Sequence, residues 1–366
     1  MRFQTPLTAC LFSISFVSAA SLNSRQTVEV ETKSLDELHQ LALAEGGDLI
    51  VKAGGDERNR RDGLIKAFKD RFPGINLNLT VDLSKYHDSV IDRNLNTTGK
   101  AGADIAQLQT LHDFVRWKQE GQLLAYKPAG WEQIPDNIKD VDGAYVGTNY
   151  IAFSNIFATA KTSKEEAPTE FLDYLDPKWK GKIVSTYPND DDAVLFQFYK
   201  IVQAHGWEAI QNFIAQDVQW VRGTATPATL IGLNNTRAVT FSASAGSWDG
   251  STGFFKQLPK DDFSLVALWA QRTAILKTAE HPAAAKLFLN WLLSKEQQTS
   301  SGGWSVRDDV PPQAGVKPLT EFATGQMDPT AFEKFMLDRP LVERFKLQFE
   351  QLLGTAQGVS PLDDGL

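Results

Sequence analysis

The sequence predicts an α/β protein of two lobes, each a mixed, mostly parallel sheet flanked by helices. Three observations carry this. Strand-like and helix-like stretches alternate over residues 48–119 and again over residues 182–242, and such alternation builds sheets with helices packed on their faces. The chain has 366 residues, more than one typical core accommodates. The last third repeats apolar residues at helical spacing, at 281–298 and 341–353.

The elements follow in order. Ser34 and Glu37 form a capping-box pattern, and Leu35, Leu38 and Leu41 mark one face of a helix that stops at Gly46-Gly47. Leu49-Ile50-Val51 is a buried strand that runs into Gly54-Gly55 and should open directly into a helix. Leu64, Ile65, Phe68 and Phe72 keep helical spacing until Pro73-Gly74. Residues 75–81 alternate as a half-buried strand. A helix at 89–95, a strand at 104–108 and a helix at 111–119 complete the first series. The second has strands at 182–186, 218–221 and 238–242, with helices at 193–204, 207–214 and 227–233. There is no internal repeat and no low-complexity stretch.

Residues 1–19 read as a secretory signal peptide: Arg2, an apolar run from Leu7 to Val17 too short to span a bilayer, then small residues. Cys10 lies too early in that run for a lipoprotein box, and it is the only cysteine, so the mature chain has no disulfide and no thiol chemistry. Residues 20–33 are polar and read as a flexible lead-in. Sequons stand at Asn78, Asn96 and Asn234, compatible with glycosylation on a secretory route. The net charge is -8, which disfavours nucleic acid as a partner. No later apolar run is long enough for membrane insertion.

Catalytic motifs are missing. The five histidines form no metal-binding pair, no serine-nucleophile elbow occurs, and no phosphate-binding or dinucleotide glycine pattern is complete. No metal site and no cofactor is expected. What remains is five polar junctions between strands and helices. Gly54-Gly55-Asp56-Glu57 is a tight turn or a ligand wall. Gln109 and its neighbours cap a helix or face a solute. Thr186-Tyr187 leads into Asp190, a solvated helix start or an acidic cleft edge. Arg222, Thr224 and Thr226 precede Pro227, a helix start whose N–H groups suit an anion or a carbonyl. Ser242 and Ser244 lead to Trp248, a close-approach loop with an aromatic wall or a plain turn. Singly, each favours the structural reading; together they favour a shared cleft.

Specific segments then point to a family. Residues 175–183, LDPKWKGKI, resemble the D-P-x-W-K-G-K-I segment of type 2 periplasmic solute-binding proteins of the ferric-iron, thiamine and polyamine branch. Ala67-Phe68 with Phe72-Pro73-Gly74-Ile75, the run from His281 to Phe288 with Trp291–Ser294, and Val306-Arg307-Asp308-Asp309-Val310 are similar to further segments of that branch. The resemblance covers residues 34–312. It implies the type II periplasmic-binding-protein-like fold: residues 34–146 and 270–366 as the first lobe, 147–269 as the second, crossing strands at 144–154 and 264–270, and hinge closure on a ligand. It also implies a monomeric, non-enzymatic secreted protein that binds a small-molecule solute, is periplasmic if bacterial, and serves an ABC permease only in that case. For a eukaryotic, fungal-type member no such importer is implied. A secreted enzyme with paired carboxylates among Asp56, Glu57 and Asp190–Asp192, or a surface-interaction protein on the same fold, is the alternative.

Ferric binders of that branch carry a histidine where Asp56 falls, an acid where Gln109 falls and a tyrosine pair near Ser242–Ser244. This chain has an aspartate, an amide and no tyrosine in residues 237–248. Ferric iron prefers phenolate or carboxylate oxygen, so the family's iron site is not expected. The expected ligand is a small polar organic solute, with Asp56 taking a hydrogen-bond donor or an amine.

Overall fold

The computed structural model describes residues 1, 28–300 and 302–365; the expected signal peptide lies, beyond Met1, outside the described residues. Residues 28–33, the end of the expected lead-in, are tied down: Val30 bridges Lys127, and the Tyr126 hydroxyl donates to Glu31 at 3.0 Å.

The first lobe opens with α1 (Leu35–Glu45), whose capping box forms with both reciprocal bonds. Its buried residues are Leu38, His39 and Ala42, while Leu41 faces solvent, so the expected Leu35/Leu38/Leu41 face is corrected. β1 (Asp48–Gly54), α2 (Asp62–Arg71), β2 (Asn76–Asp82), α3 (Ser84–Thr98), β3 (Ile105–Leu108) and α4 (Leu111–Gln119) follow. α2 begins seven residues after Gly55, so the glycine pair does not open directly into a helix. Phe68 anchors the core here, with ring centroids 5.0–5.2 Å from Phe72, Phe288 and Trp291.

β4 (Val146–Phe153) runs through Ser154 into β5 (Asn155–Ala158). β4 belongs to the first sheet and β5 to the second, so the chain passes between the sheets at Ser154. β6 (Val184–Thr186), α5 (Asp192–Ile214), β7 (Gln219–Val221), α6 (Thr226–Gly232), β8 (Val239–Thr240) and β9 (Phe254–Gln257) build the second lobe. Gly206 breaks α5 at φ +76°, and so the two helices expected there lie end to end. β10 (Ala267–Ile275) returns to the first sheet and pairs with β4 antiparallel from Ala267↔Phe153 to Thr273↔Val146.

The first sheet has the order β2-β1-β3-β10-β4, parallel among β1, β2 and β3 and antiparallel at β10. In the second lobe β8-β5-β9 is antiparallel and β6-β7 parallel, joined by a bridge between Ile183 and Val239. The sheets are therefore mixed rather than mostly parallel, because β4, β5, β9 and β10 add antiparallel pairs.

The chain ends with α7 (Pro282–Leu292), α8 (Lys295–Ser300), α9 (Ala331–Leu337) and α10 (Arg339–Leu353). α7 packs on α1 in the first lobe. α9 touches both lobes: Glu333 pairs with Arg272 of β10 and Phe332 packs on Trp269, while Phe335 packs on Tyr199 of α5. α10 packs on the second lobe, with Phe345 on Tyr199 and Phe349 on Phe198. Among the described residues no helix is long and apolar enough to cross a membrane. The side chains of Asn78, Asn96 and Asn234 are exposed.

Candidate functional site: a cleft between the lobes

A cavity of about 790 Å³ lies between the two lobes, within the range that holds small organic molecules. Of the residues expected at a ligand site, Gly54, Gly55, Asp56, Gln109, Asp190, Thr224, Ser244 and Trp248 line it. Five other expected residues do not. Ser242 and Thr186 are wholly buried, with the Ser242 hydroxyl accepting from the Thr186 amide at 2.8 Å. Tyr187 packs against Trp220, Thr226 faces the C-terminal segment, and Arg222 is bound to Asp190. A strand's two faces are indistinguishable in such short segments, so the sequence does not separate cleft-lining residues from buried ones.

The glycine pair has a packing cause. A Cβ at Gly54 would fall 2.1 Å from Ser84 Oγ, and one at Gly55 would fall 2.8 Å from Val81 Cγ1. Ser84 Oγ accepts from the Gln109 amide at 2.9 Å, so the same close approach holds the Gln109 loop. Gly54→Ala is expected to cost about 1–3 kcal/mol through overpacking, measured as a lower midpoint in urea unfolding.

Three acids at the mouth are already used. Asp56 Oδ2 accepts from the Thr224 amide and hydroxyl, each at 2.6 Å, joining the lobes. In this arrangement Asp56 ties the two lobes together, with one carboxylate oxygen engaged by Thr224. Lys85 of the first lobe donates to the Asp190 carboxylate at 2.9 Å and to its carbonyl at 2.7 Å. Burial opposes the charged form of Asp190, but the bonds from Arg222 and Lys85 outweigh it and hold the carboxyl below its ordinary range. Asp191 caps α5 through the amides of Ala193 and Val194. Burial first, and the Asp56 charge second, push Asp191 up to about 7.

A carboxyl raised in the folded state stabilises most below its unfolded value, and this contribution is lost as pH rises toward the folded value. For Asp191 that window runs from about pH 4 to about 7. Asn at this position keeps an N-cap acceptor without the charge. Asp191→Asn should therefore show a smaller fall in Tm than the unmodified protein as pH rises through this window. Parallel Tm–pH curves would remove the assignment.

Deeper in the cleft, Asp88 and Asp113 lie together. Burial and then the Asp113 charge push Asp88 up to about 7, while Asp113 is bound by Arg116 at 2.7 Å. Two cations that line the same cavity have no such balance. Arg61 Nε is buried without a hydrogen-bond partner, and no carboxylate among the described residues pairs with its guanidinium. Burial and neighbouring Arg60 lower it to about 10. Among the described residues, Lys256 of β9 donates only to the carbonyls of Ala152 and Ser244, at 2.9 and 3.3 Å. Burial and then Arg60, reaching from the opposite lobe, lower it to about 8. Arg60 itself has only Glu57, at 3.5 Å. Arg60, Arg61 and Lys256 were not singled out in the sequence. The available signal was three arginines among residues 58–61, directly after the glycine pair.

The residues present do not fit the ferric site of the resembling branch. Asp56 is committed to Thr224, Gln109 offers an amide, and Ser242 is buried. Among the described residues no three of His, Cys, Asp and Glu are placed to hold a metal ion.

A family model described as bacterial extracellular solute-binding protein matches residues 103–301. Several solved structures share the fold. The substrate-binding protein of an ABC transporter from Agrobacterium tumefaciens is 16% identical, over 84% of this chain and 95% of that one, with a TM-score of 0.68. AfuA from Actinobacillus pleuropneumoniae, solved with exogenous fructose-6-phosphate, is 17% identical over 84% and 99%, with a TM-score of 0.64. Iron-bound HitA from Pseudomonas aeruginosa is 16% identical over 82% and 99%, with a TM-score of 0.62. At such identities the likeness is one of fold. No curated protein matches the chain in sequence.

Proposed function

The chain belongs to the bacterial extracellular solute-binding protein family, and on that premise we propose that the solute captured between its lobes is an anion. The observation that carries this is the imbalance of partners in the cleft. Asp56, Asp190 and Asp113 each have donors, whereas Arg61 and Lys256 have no acid. A buried cation without a counter-charge is costly to maintain, and an incoming anion supplies that charge with charge-assisted hydrogen bonds. Closure by a hinge near Ser154, with Asp56–Thr224 and Lys85–Asp190 formed in the closed state, would trap the anion by population shift.

In this reading the protein is a binder rather than an enzyme, acts as a monomer outside the cytoplasm, and hands its solute to an ABC permease where the producing cell is bacterial. A thermal-shift panel tests it, with inorganic phosphate, phenyl phosphate, benzoate and citrate set against spermidine, thiamine and ferric ion. A ligand at a hundredfold excess over its Kd adds about 2.7 kcal/mol, a shift of a few degrees at this size. Stabilisation by anions supports the proposal; stabilisation by amines alone would refute it.

A further inference from the structure

We infer that the anion is organic and carries a flat or apolar body, an inference that rests on the anion reading above. An inorganic oxyanion at Arg61 or at Lys256 would leave most of the 790 Å³ to water. The rest of the cleft is not built for water alone. The Lys256 ammonium stands 5.4 Å from the Trp248 ring centroid, so the cationic end and an aromatic wall are continuous. Trp304 meets Trp248 edge to face at 5.3 Å, and Tyr150 lines the same cavity. The Trp304 indole N–H is taken by the Lys317 carbonyl at 2.9 Å, leaving its ring as an apolar surface. Trp248 is only half-buried. Rings pack well against such walls, and an indole N–H can also orient a polar substituent.

The test measures the Kd of inorganic phosphate, phenyl phosphate and benzoate by calorimetry and tryptophan fluorescence, on the full chain and on Trp248→Ala, Trp248→Phe and Arg61→Met. Phenyl phosphate should bind at least tenfold more tightly than inorganic phosphate. Trp248→Ala should erase most of that ratio, Trp248→Phe should keep most of it, and Arg61→Met should weaken both phosphates together. Inorganic phosphate binding as tightly as phenyl phosphate, or a ratio unchanged in Trp248→Ala, would overturn the ring-bearing body while leaving the anion reading in place. Failure of all three anions would overturn both.

An independent observation concerns the C-terminal segment, and the geometry points to a clasp on the closed cleft. After α10 the chain runs across the outside of the Asp56–Thr224 latch. Pro361 sits on Gly223, where a Cβ would fall 2.4 Å from the proline Cβ. Asp363 pairs with Arg58 of the first lobe at 2.5 Å, and Asp364 accepts from the Thr226 hydroxyl of the second at 2.8 Å. One segment therefore holds both lobes within a few residues of Asp56 and Thr224. The Arg58 pair is exposed and weak alone; its leverage comes from linking lobes that close by rigid-body motion.

Hydrogen exchange on the ligand-free chain tests this. Deletion of residues 355–366 leaves α10 whole. It should speed exchange at least several-fold at 222–226 and also at 84–86 and 190–194, which meet across the cleft without touching the deleted segment. Arg58→Ala in the full chain should act in the same direction, more weakly. Faster exchange confined to 222–226, or none in either variant, would overturn the clasp.

Discussion

Arg61→Met is expected to abolish anion capture and, at the same time, to stabilise the ligand-free protein. The two effects share one cause. Arg61 has a buried Nε with no acceptor, and burial with Arg60 holds its guanidinium at about 10, well below its ordinary value. A base with a depressed folded pKa destabilises the fold wherever it is protonated, here throughout the range below about pH 10. Methionine fills a comparable length of side chain without the charge, so the cost of holding a charge with no counter-ion is removed and the Tm without ligand should rise. The bound state loses instead: cutting one partner from a buried charge pair costs about 2–5 kcal/mol, roughly 30-fold to several thousand-fold in Kd. Thermal unfolding with and without phenyl phosphate reads both. A Tm that falls without ligand would mean that Arg61 supports the fold through contacts other than the cleft.

Asp56→Ala should weaken every ligand alike. Its Oδ2 takes two bonds from Thr224 at 2.6 Å, and a hydrogen bond to a charged group contributes about 1.5–3 kcal/mol. Those bonds exist only where the lobes meet, so their loss lowers the population of the closed state and raises the apparent Kd by the same factor. A tenfold to hundredfold weakening is expected, roughly 1.4 to 2.8 kcal/mol, carried mainly by faster dissociation. Stopped-flow fluorescence separates this from Arg61→Met: Asp56→Ala should leave the ranking of anions unchanged. Loss of one anion class with others untouched would make Asp56 a ligand contact rather than a latch.

Much of the fold was legible because local signals carried it. The Ser34/Glu37 capping box, α4 at Leu111–Gln119 and the break at Gly206 each follow from residues close in sequence. β5 and β9 went unseen because four-residue strands in an antiparallel trio gain their identity from partners far along the chain. Eight of the thirteen expected site residues line the cleft, but the pairing of its charges was not legible. Acids at 56 and 190–192 stand out in a sequence, yet whether an acid is free depends on Thr224, Arg222 and Lys85, which only the fold brings near. Lys256 was hidden for the same reason: a lysine in a short strand gives no sign that it will be buried against two carbonyls.

The sign of the captured charge is the most direct question to put to this cleft. Isothermal titration of the full chain with phenyl phosphate, and separately with spermidine, answers it. The expected result is saturable one-to-one binding of phenyl phosphate that disappears in Arg61→Met, with no heat of binding from spermidine. Saturable spermidine binding that is lost in Asp56→Ala and unaffected by Arg61→Met would contradict the anion cleft and return Asp56 to the role of an amine ligand.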